Sequence, residues 1–484
     1  MQFGVDLGGR FASDDPCMWP VTRLAAAIRS GELDVVELAA AHLSRIEEMA
    51  HLNAVITVRH ELLVQEAEAS RRRLRRGGPI GPLHGVPFTV KDVITTEWVR
   101  STAGSRILQD NVPSVDATAV SRLKRAGALL VGKTNCPEFA FGIVTDSPLF
   151  GRTLNPLNGD RSPGGSSGGE SAAVASGCSA FGVGTDFGGS LRWPAQCTGI
   201  VALRPTPGLV PGTGQIPGAG GSCGADGPVL ANPSTLQGQL QVVGPLARTV
   251  ADLGLVTQVL AGPDPSDLLS SGATWQDLPE FAGARLTVGW SDGSSIGPVG
   301  REMAAAVEEL AARMADAGTR VRPVPDAFAG CLGAYNALRE IEALADHLLL
   351  VSGRHDLLSP PMQTALGQVP PPDPLAASRA WAAALSSRAV ALKVFESVDV
   401  VVLPVAPGPA CDHDGVLDVG GARLAAWQLM GQCRAVSMLG APAVSVPVAM
   451  SSDGMPLSVQ VVARPSHDRI ALAVAGLIEE IVSR

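Results

Sequence analysis

Apolar residues recur at helical spacing in two early stretches, Val21 to Arg29 and Asp34 to Met49, which Ser30 and Gly31 separate. Each predicts an amphipathic helix, and Asp34 with Glu37 forms a capping box at the start of the second. From Pro79 the texture changes. Short apolar runs such as Gly85-Val-Pro-Phe-Thr-Val90 alternate with helical segments such as Ala117 to Ala126, which leads into Ala128-Leu-Leu-Val131. That alternation predicts a sheet covered by helices. A second series runs from Leu286-Thr-Val288, through a helix over Arg301 to Ala317 stopped by Gly318, to a strand at Val321. Asp399-Val-Val-Val-Leu403 enters Pro404, and Ala443-Val-Ser-Val446 enters Pro447, as buried strands ending at loops, where ligands of α/β sheets commonly sit. Both halves therefore read as α/β.

Two stretches interrupt the pattern. Pro205 to Pro228 is dense in glycine and proline and predicts a loop, and Ser352 to Pro374, ending in Pro-Pro-Pro-Asp-Pro, reads as a second irregular segment. Each is either a surface connector or a wall or lid over a pocket.

Composition narrows the function classes. With 484 residues, 46% of them hydrophobic, the chain can bury a large core. Its net charge of -9 comes without a basic stripe, which argues against a nucleic-acid partner and for a small-molecule enzyme. The opening residues lack a basic region followed by an apolar run, and no segment has the uninterrupted apolar length of a membrane helix, so a cytoplasmic protein without a membrane partner is expected. The eight cysteines include no C-x-x-C pair and read mostly as small buried residues. The eight histidines show no ligand spacing, so neither a metal nor a cofactor is expected.

The candidate chemistry concentrates in Ser162-Pro-Gly-Gly-Ser-Ser-Gly-Gly-Glu-Ser171 and Gly184-Thr-Asp-Phe-Gly-Gly-Ser190-Leu-Arg192. Glycines permit tight turns and close approach to backbone N–H groups, and serines supply hydroxyls that attack or relay protons. A turn or an anion-binding nest would use the same residues. Gly164-Gly-Ser-Ser-Gly168 satisfies G-x-S-x-G, but turn material rather than a strand leads into it. Gly182-x-Gly184-x-x-x-Gly188 is one residue too long for a dinucleotide fingerprint, and no Walker motif occurs. Lys91 closes the apolar run before Asp92, where a buried ammonium is costly unless paired or neutral. It is read either as one half of a salt bridge or as a desolvated, neutral base.

Together these segments resemble the amidase signature family. Further landmarks follow in the same order: Leu52-Asn-Ala54, Gly132-Lys-Thr-Asn135 with Glu138-Phe-Ala140, Phe150 to Pro156, Gly244-Pro-Leu-Ala-Arg248, and Gly440-Ala-Pro442 through Ser445-Val-Pro447. The resemblance implies a single large α/β domain, a mixed sheet with helices on both faces, in which an N-terminal helical segment, 1–75, packs on a catalytic unit, 76–484. It implies that Ser190 is the nucleophile, Ser166 the bridging residue and Lys91 the base. Ser166 and Ser190 stand 24 positions apart, as the family would have them. It further implies a cis peptide between Gly165 and Ser166, support from Ser167, Asp186 and Arg192, and an oxyanion hole from the N–H groups of Phe187, Gly188, Gly189 and Ser190. The expected reaction is cleavage of an amide C–N bond through an acyl-enzyme, by a monomer or homodimer acting on a small amide or carbamate.

Within the family, the triad arrangement and the Pro/Gly-rich segment resemble metagenome-derived urethanases. Phe139, Phe141, Ile143, Leu149 and Phe187 lie near the motifs and would suit an apolar or aryl group, or simply pack in the core. The main rival is the glutaminase subunit of a tRNA-dependent amidotransferase. Against it, Pro207-Gly-Leu-Val-Pro-Gly212 replaces a Tyr-Gly-Arg-Val-Ser-Arg-like run, and Arg204 stands where lysine is common. A catalytically silent binding relative is a further alternative.

Overall fold

A computed structural model describes residues 2–3, 13–270, 272, 274–277 and 286–483. Most of the opening stretch, on which the expectation of no signal rests, lies outside these residues. Twelve strands form the main sheet: β1 (Gln2–Phe3), β2 (Val55–Val58), β3 (Pro87–Lys91), β4 (Leu129–Thr134), β5 (Phe181–Asp186), β6 (Val201–Arg204), β7 (Val242–Ala247), β8 (Thr287–Trp290), β9 (Arg320–Pro323), β10 (Val400–Pro404), β11 (Ala443–Met450) and β12 (Pro456–Ala463). Their order is β9-β8-β10-β12-β11-β6-β7-β5-β3-β4-β2, with β1 paired to β11. The sheet is mixed. β3, β4 and β5 are parallel at one end and β8, β9 and β10 at the other, with antiparallel strands between them.

Successive side chains of a strand point to opposite faces, so a strand buried at every position has both faces covered. β3, β4, β5, β7, β10 and β12 are all of this kind. The principal apolar core accordingly gathers residues from Trp19 to Val482. Seven of the eight cysteines are buried.

The early helices form as their sequence dictates. Val21–Ser30 ends at Gly31, whose φ of 78° is the left-handed cap. Val35–Glu48 starts where Asp34 accepts N–H bonds from Val36 at 2.8 Å and Glu37 at 3.4 Å, a cap worth about 1 kcal/mol. Val35, Leu38, Ala39 and Leu43 then face the core. The N-terminal segment is not wholly helical, because it also supplies β2, which pairs antiparallel with β4 and closes that edge.

Ser352 to Pro374 departs from its reading as irregular chain, since it contains the helix Pro360–Gly367. The physical reason lies in where the prolines fall. Pro360 and Pro361 occupy the first turn, where no intrahelical N–H is needed, and Pro374 likewise opens the helix Pro374–Leu392 behind an Asp373 cap. Asp373 accepts from Leu375 and Ala376 at 3.0 and 2.9 Å. Pro205 to Pro228 is loop apart from a single short turn of 3₁₀ helix, Ala219–Gly221.

Candidate active site

β3 and β5 run parallel as neighbours, in register from Phe88 opposite Phe181 to Val90 opposite Val183. Their carboxyl ends therefore deliver Lys91 and the pair Thr185-Asp186 to the same rim of the sheet. The stacked rings of Phe88 and Phe181, 5.4 Å apart, brace the two strands behind it. Lys91 is fully buried. Its Nζ donates to Ser166 Oγ at 2.7 Å and to Thr185 Oγ1 at 2.9 Å. Among the described residues no carboxylate pairs with it, so the salt-bridge reading falls. Burial pushes the ammonium down from 10.5 to about 8, with Cys136, Asp186 and Glu170 pulling weakly the other way.

Ser166 sits one residue before the turn into the helix Gly168–Ala175, and the Gly165–Ser166 peptide is cis. Ser167 ties this loop to the next one. Its N–H donates to the Ser190 carbonyl at 3.2 Å, and its Oγ donates to the Thr185 carbonyl at 3.3 Å. The same helix carries Glu170 inward, where it accepts from Thr134 Oγ1 at 2.5 Å and from Thr89 Oγ1. Burial raises that carboxyl to about 7. A side chain at Gly182 would place its Cβ 2.0 Å from Glu170 Oε1, so only glycine lets the helix settle on β5 there.

Between β5 and the helix Arg192–Thr198 the chain turns through Phe187, Gly188, Gly189 and Ser190. Gly189 has a φ of 131°, and a Cβ there would stand 2.8 Å from Cys433 Cβ. Asp186 organises the turn. Its carboxylate accepts from the N–H of Gly189 at 2.8 Å and of Leu191 at 3.2 Å, and from Arg192 Nε and Nη2 at 3.0 and 2.9 Å. Burial alone would raise this carboxyl, but Arg192 overrides it and holds the group at about 2. Arg204 lies 3.6 Å away on the far side. Arg192 also reaches Gln460 Oε1 and Ser437 Oγ, both at 2.8 Å, and the Cys433 carbonyl at 3.1 Å.

The four N–H groups expected at the oxyanion position are thus not equivalent. Gly189 donates to Asp186, whereas those of Phe187, Gly188 and Ser190 have no protein acceptor among the described residues. Ser166 and Ser190 open together onto a cavity of about 490 Å³. Phe139, Phe141, Phe187, Tyr335, Arg339, His347, Trp427 and Arg434 line it as well. Ile143 instead lines an outer cavity of about 680 Å³ that shares Phe141, Arg339, Glu340, Leu344, Gln368 and Trp427 with the inner one, and Leu149 lines neither. The helix Pro360–Gly367 and Gln368, Val369 and Pro370 wall the outer cavity, so this part of the Ser352 to Pro374 stretch is a wall rather than a mere connector.

The sequence reading brought Lys91, Ser166, Ser190, Ser167, Asp186 and Arg192 together and missed Thr185 and Glu170. Thr185 adjoins Asp186 inside the quoted motif, and Glu170 is the one charge in a helix of Gly, Ala, Ser and Val, which is the signal that could have found it.

The amidase family model matches residues 37–347 and 375–472. An indoleacetamide hydrolase of Bradyrhizobium diazoefficiens is 33% identical over 95% of this chain and 86% of that protein. A glutamyl-tRNA(Gln) amidotransferase subunit of a Synechococcus species is 32% identical over 93% and 89%. The crystal structure of an amidase superposes with a TM-score of 0.82 at 29% identity, covering 96% of this chain and 99% of that one. Among the described residues no helix is long and apolar enough to cross a membrane. With the family model spanning most of its length and relatives matching nearly end to end, the chain belongs to the amidase signature family and is a hydrolase of amide C–N bonds.

Proposed function

We propose that the chain hydrolyses small amides and carbamates bearing apolar or aryl groups, through an acyl-enzyme on Ser190. The observation that carries this reading is the fully buried Lys91 amine, hydrogen-bonded to Ser166 under the cavity onto which Ser190 opens. In its neutral form Lys91 takes the proton of Ser166 while Ser166 takes that of Ser190, whose Oγ attacks the carbonyl carbon. The N–H groups of Phe187, Gly188 and Ser190 receive the developing oxyanion, and Gly189 holds the turn through Asp186. Ser166 returns its proton to the departing amine, the C–N bond breaks, and water then releases the acid by the reverse relay. The aromatic lining and the 33% identical indoleacetamide hydrolase support an aryl group.

A glutaminase role within a larger complex is the second reading, favoured by the near full-length similarity to glutamyl-tRNA(Gln) amidotransferase proteins. Hydrolysis of an anilide, an aryl carbamate and glutamine, by wild type and Ser190→Ala, separates them. Aniline release from the first two, lost in the variant, is expected. Turnover of glutamine alone moves the chain to the amidotransferase reading, and failure of a fluorophosphonate probe to label Ser190 identifies a silent binder.

A further inference from the structure

Arg339 and Arg434 bring two guanidinium groups to the inner cavity. Arg339 lies on the helix Cys331–Glu340, with its Cζ 5.4 Å from the Phe187 ring centre and 5.8 Å from that of Phe141. Arg434 lies on the helix Gly431–Met438, with its Cζ 4.9 Å from the Tyr335 ring centre. Both flank the turn that carries the nucleophile. A Cβ at Gly188 would stand 2.8 Å from Tyr335 Oη and 3.1 Å from Arg434 Cγ.

Neither guanidinium is neutralised. Among the described residues no ion pair reaches either one, and Arg434 meets only neutral oxygens, the Trp427 carbonyl at 3.4 Å from Nη1 and the Tyr335 hydroxyl beside it. The one carboxylate in the lining, Glu340, is exposed at the boundary with the outer cavity. His347 contributes no charge near neutral pH, since burial holds it at about 4. Elsewhere in this fold buried arginines are tied down: Arg192 to Asp186, Arg204 and Arg248 to backbone carbonyls. Stacking over a ring covers the face of a guanidinium and leaves its N–H edge free, and that planar fork matches a carboxylate. The free edge of Arg339, with the Arg434 charge near it, in a cavity that also presents the rings of Phe139, Phe141, Phe187, Tyr335 and Trp427, describes a ligand with a flat apolar body and one anionic end.

On the hydrolase reading above, we propose that the preferred substrate carries a carboxylate close to its scissile amide or carbamate, gripped by Arg339 with Arg434 beside it. Three anilides test this: neutral acetanilide, succinanilate with the carboxylate on the acyl side, and 4-acetamidobenzoate with it on the amine side. A charge-assisted contact is expected to raise kcat/KM for one charged anilide about tenfold or more over acetanilide. Arg339→Gln should remove that advantage, and Arg339→Lys should restore part of it. Charged anilides no better than acetanilide, or an advantage that survives in both Arg339→Gln and Arg434→Gln, overturn the proposal. Should none of the three be hydrolysed, the aryl-amide reading fails by itself, and the carboxylate site is then read by protection of Ser190 from a fluorophosphonate. Protection by succinanilate but not acetanilide, lost in Arg339→Gln, supports the site. Equal protection, or none, rejects it.

Discussion

The floor and the wall of the cavity are built on opposite rules. The floor, from Lys91 through Thr185 and Asp186 to Arg192, is buried, and its hydrogen bonds come from strand ends and from a turn pinned at both sides. The wall comes from Phe141, Tyr335, Arg339, Trp427 and Arg434, mostly half-buried groups on helices and connecting segments, with two arginines that no ion pair reaches among the described residues. Fixed chemistry beneath a modifiable wall lets one reaction serve many substrates, because the wall can change without disturbing the relay.

If that division holds, substitutions should sort by position. The largest effect is expected at Ser190→Ala, which leaves the fold intact and removes turnover by about 10⁴-fold or more, measured as kcat/KM on acetanilide. Retained turnover would place the nucleophile elsewhere. Asp186→Asn is next. It leaves Arg192 buried without its counter-charge, so urea unfolding should show a loss of about 3–5 kcal/mol, and a change below about 1 kcal/mol would mean that the floor is not held as described.

The third effect is pH dependence. As the proposed base Lys91 must be unprotonated to act, and burial holds it near 8, so below that value kcat/KM should fall about tenfold per pH unit, with the inflection near 8. A flat profile from about pH 6 to 9 contradicts Lys91 as the base. On the wall, Trp427→Ala should shift KM roughly threefold to tenfold with Tm almost unchanged, and an equal loss in kcat would make the wall part of the chemistry.

The same division explains what is legible in the sequence. The floor can be read because turn glycines, serines and a lysine at a strand end form a contiguous, unusual text in two short segments. β3 shows as an apolar run, and its parallel pairing with β5 follows from helical crossovers. The wall is read only in part, through Phe141 and the stretch Ser352 to Pro374. Arg339, Arg434 and Trp427 come from parts of the chain with no motif, and only the packing of the helix Cys331–Glu340 against Gly431–Met438 brings them together. Pro360–Gly367 stays hidden because proline is ambiguous, a breaker within a helix and a favoured residue at its start. The inequality of the N–H groups from Phe187 to Ser190 is equally out of reach, since a backbone N–H leaves no mark on residue type.

Arg192 binds the turn that carries Ser190 to Cys433, Ser437 and Gln460, and Gln460 lies on β12, the last strand in chain order among the described residues. During synthesis the serines and the lysine leave the ribosome long before that strand exists. A nascent chain therefore holds Lys91, Ser166 and Ser190 before Gln460 can accept from Arg192, so this hydrogen bond forms only when the chain is nearly complete.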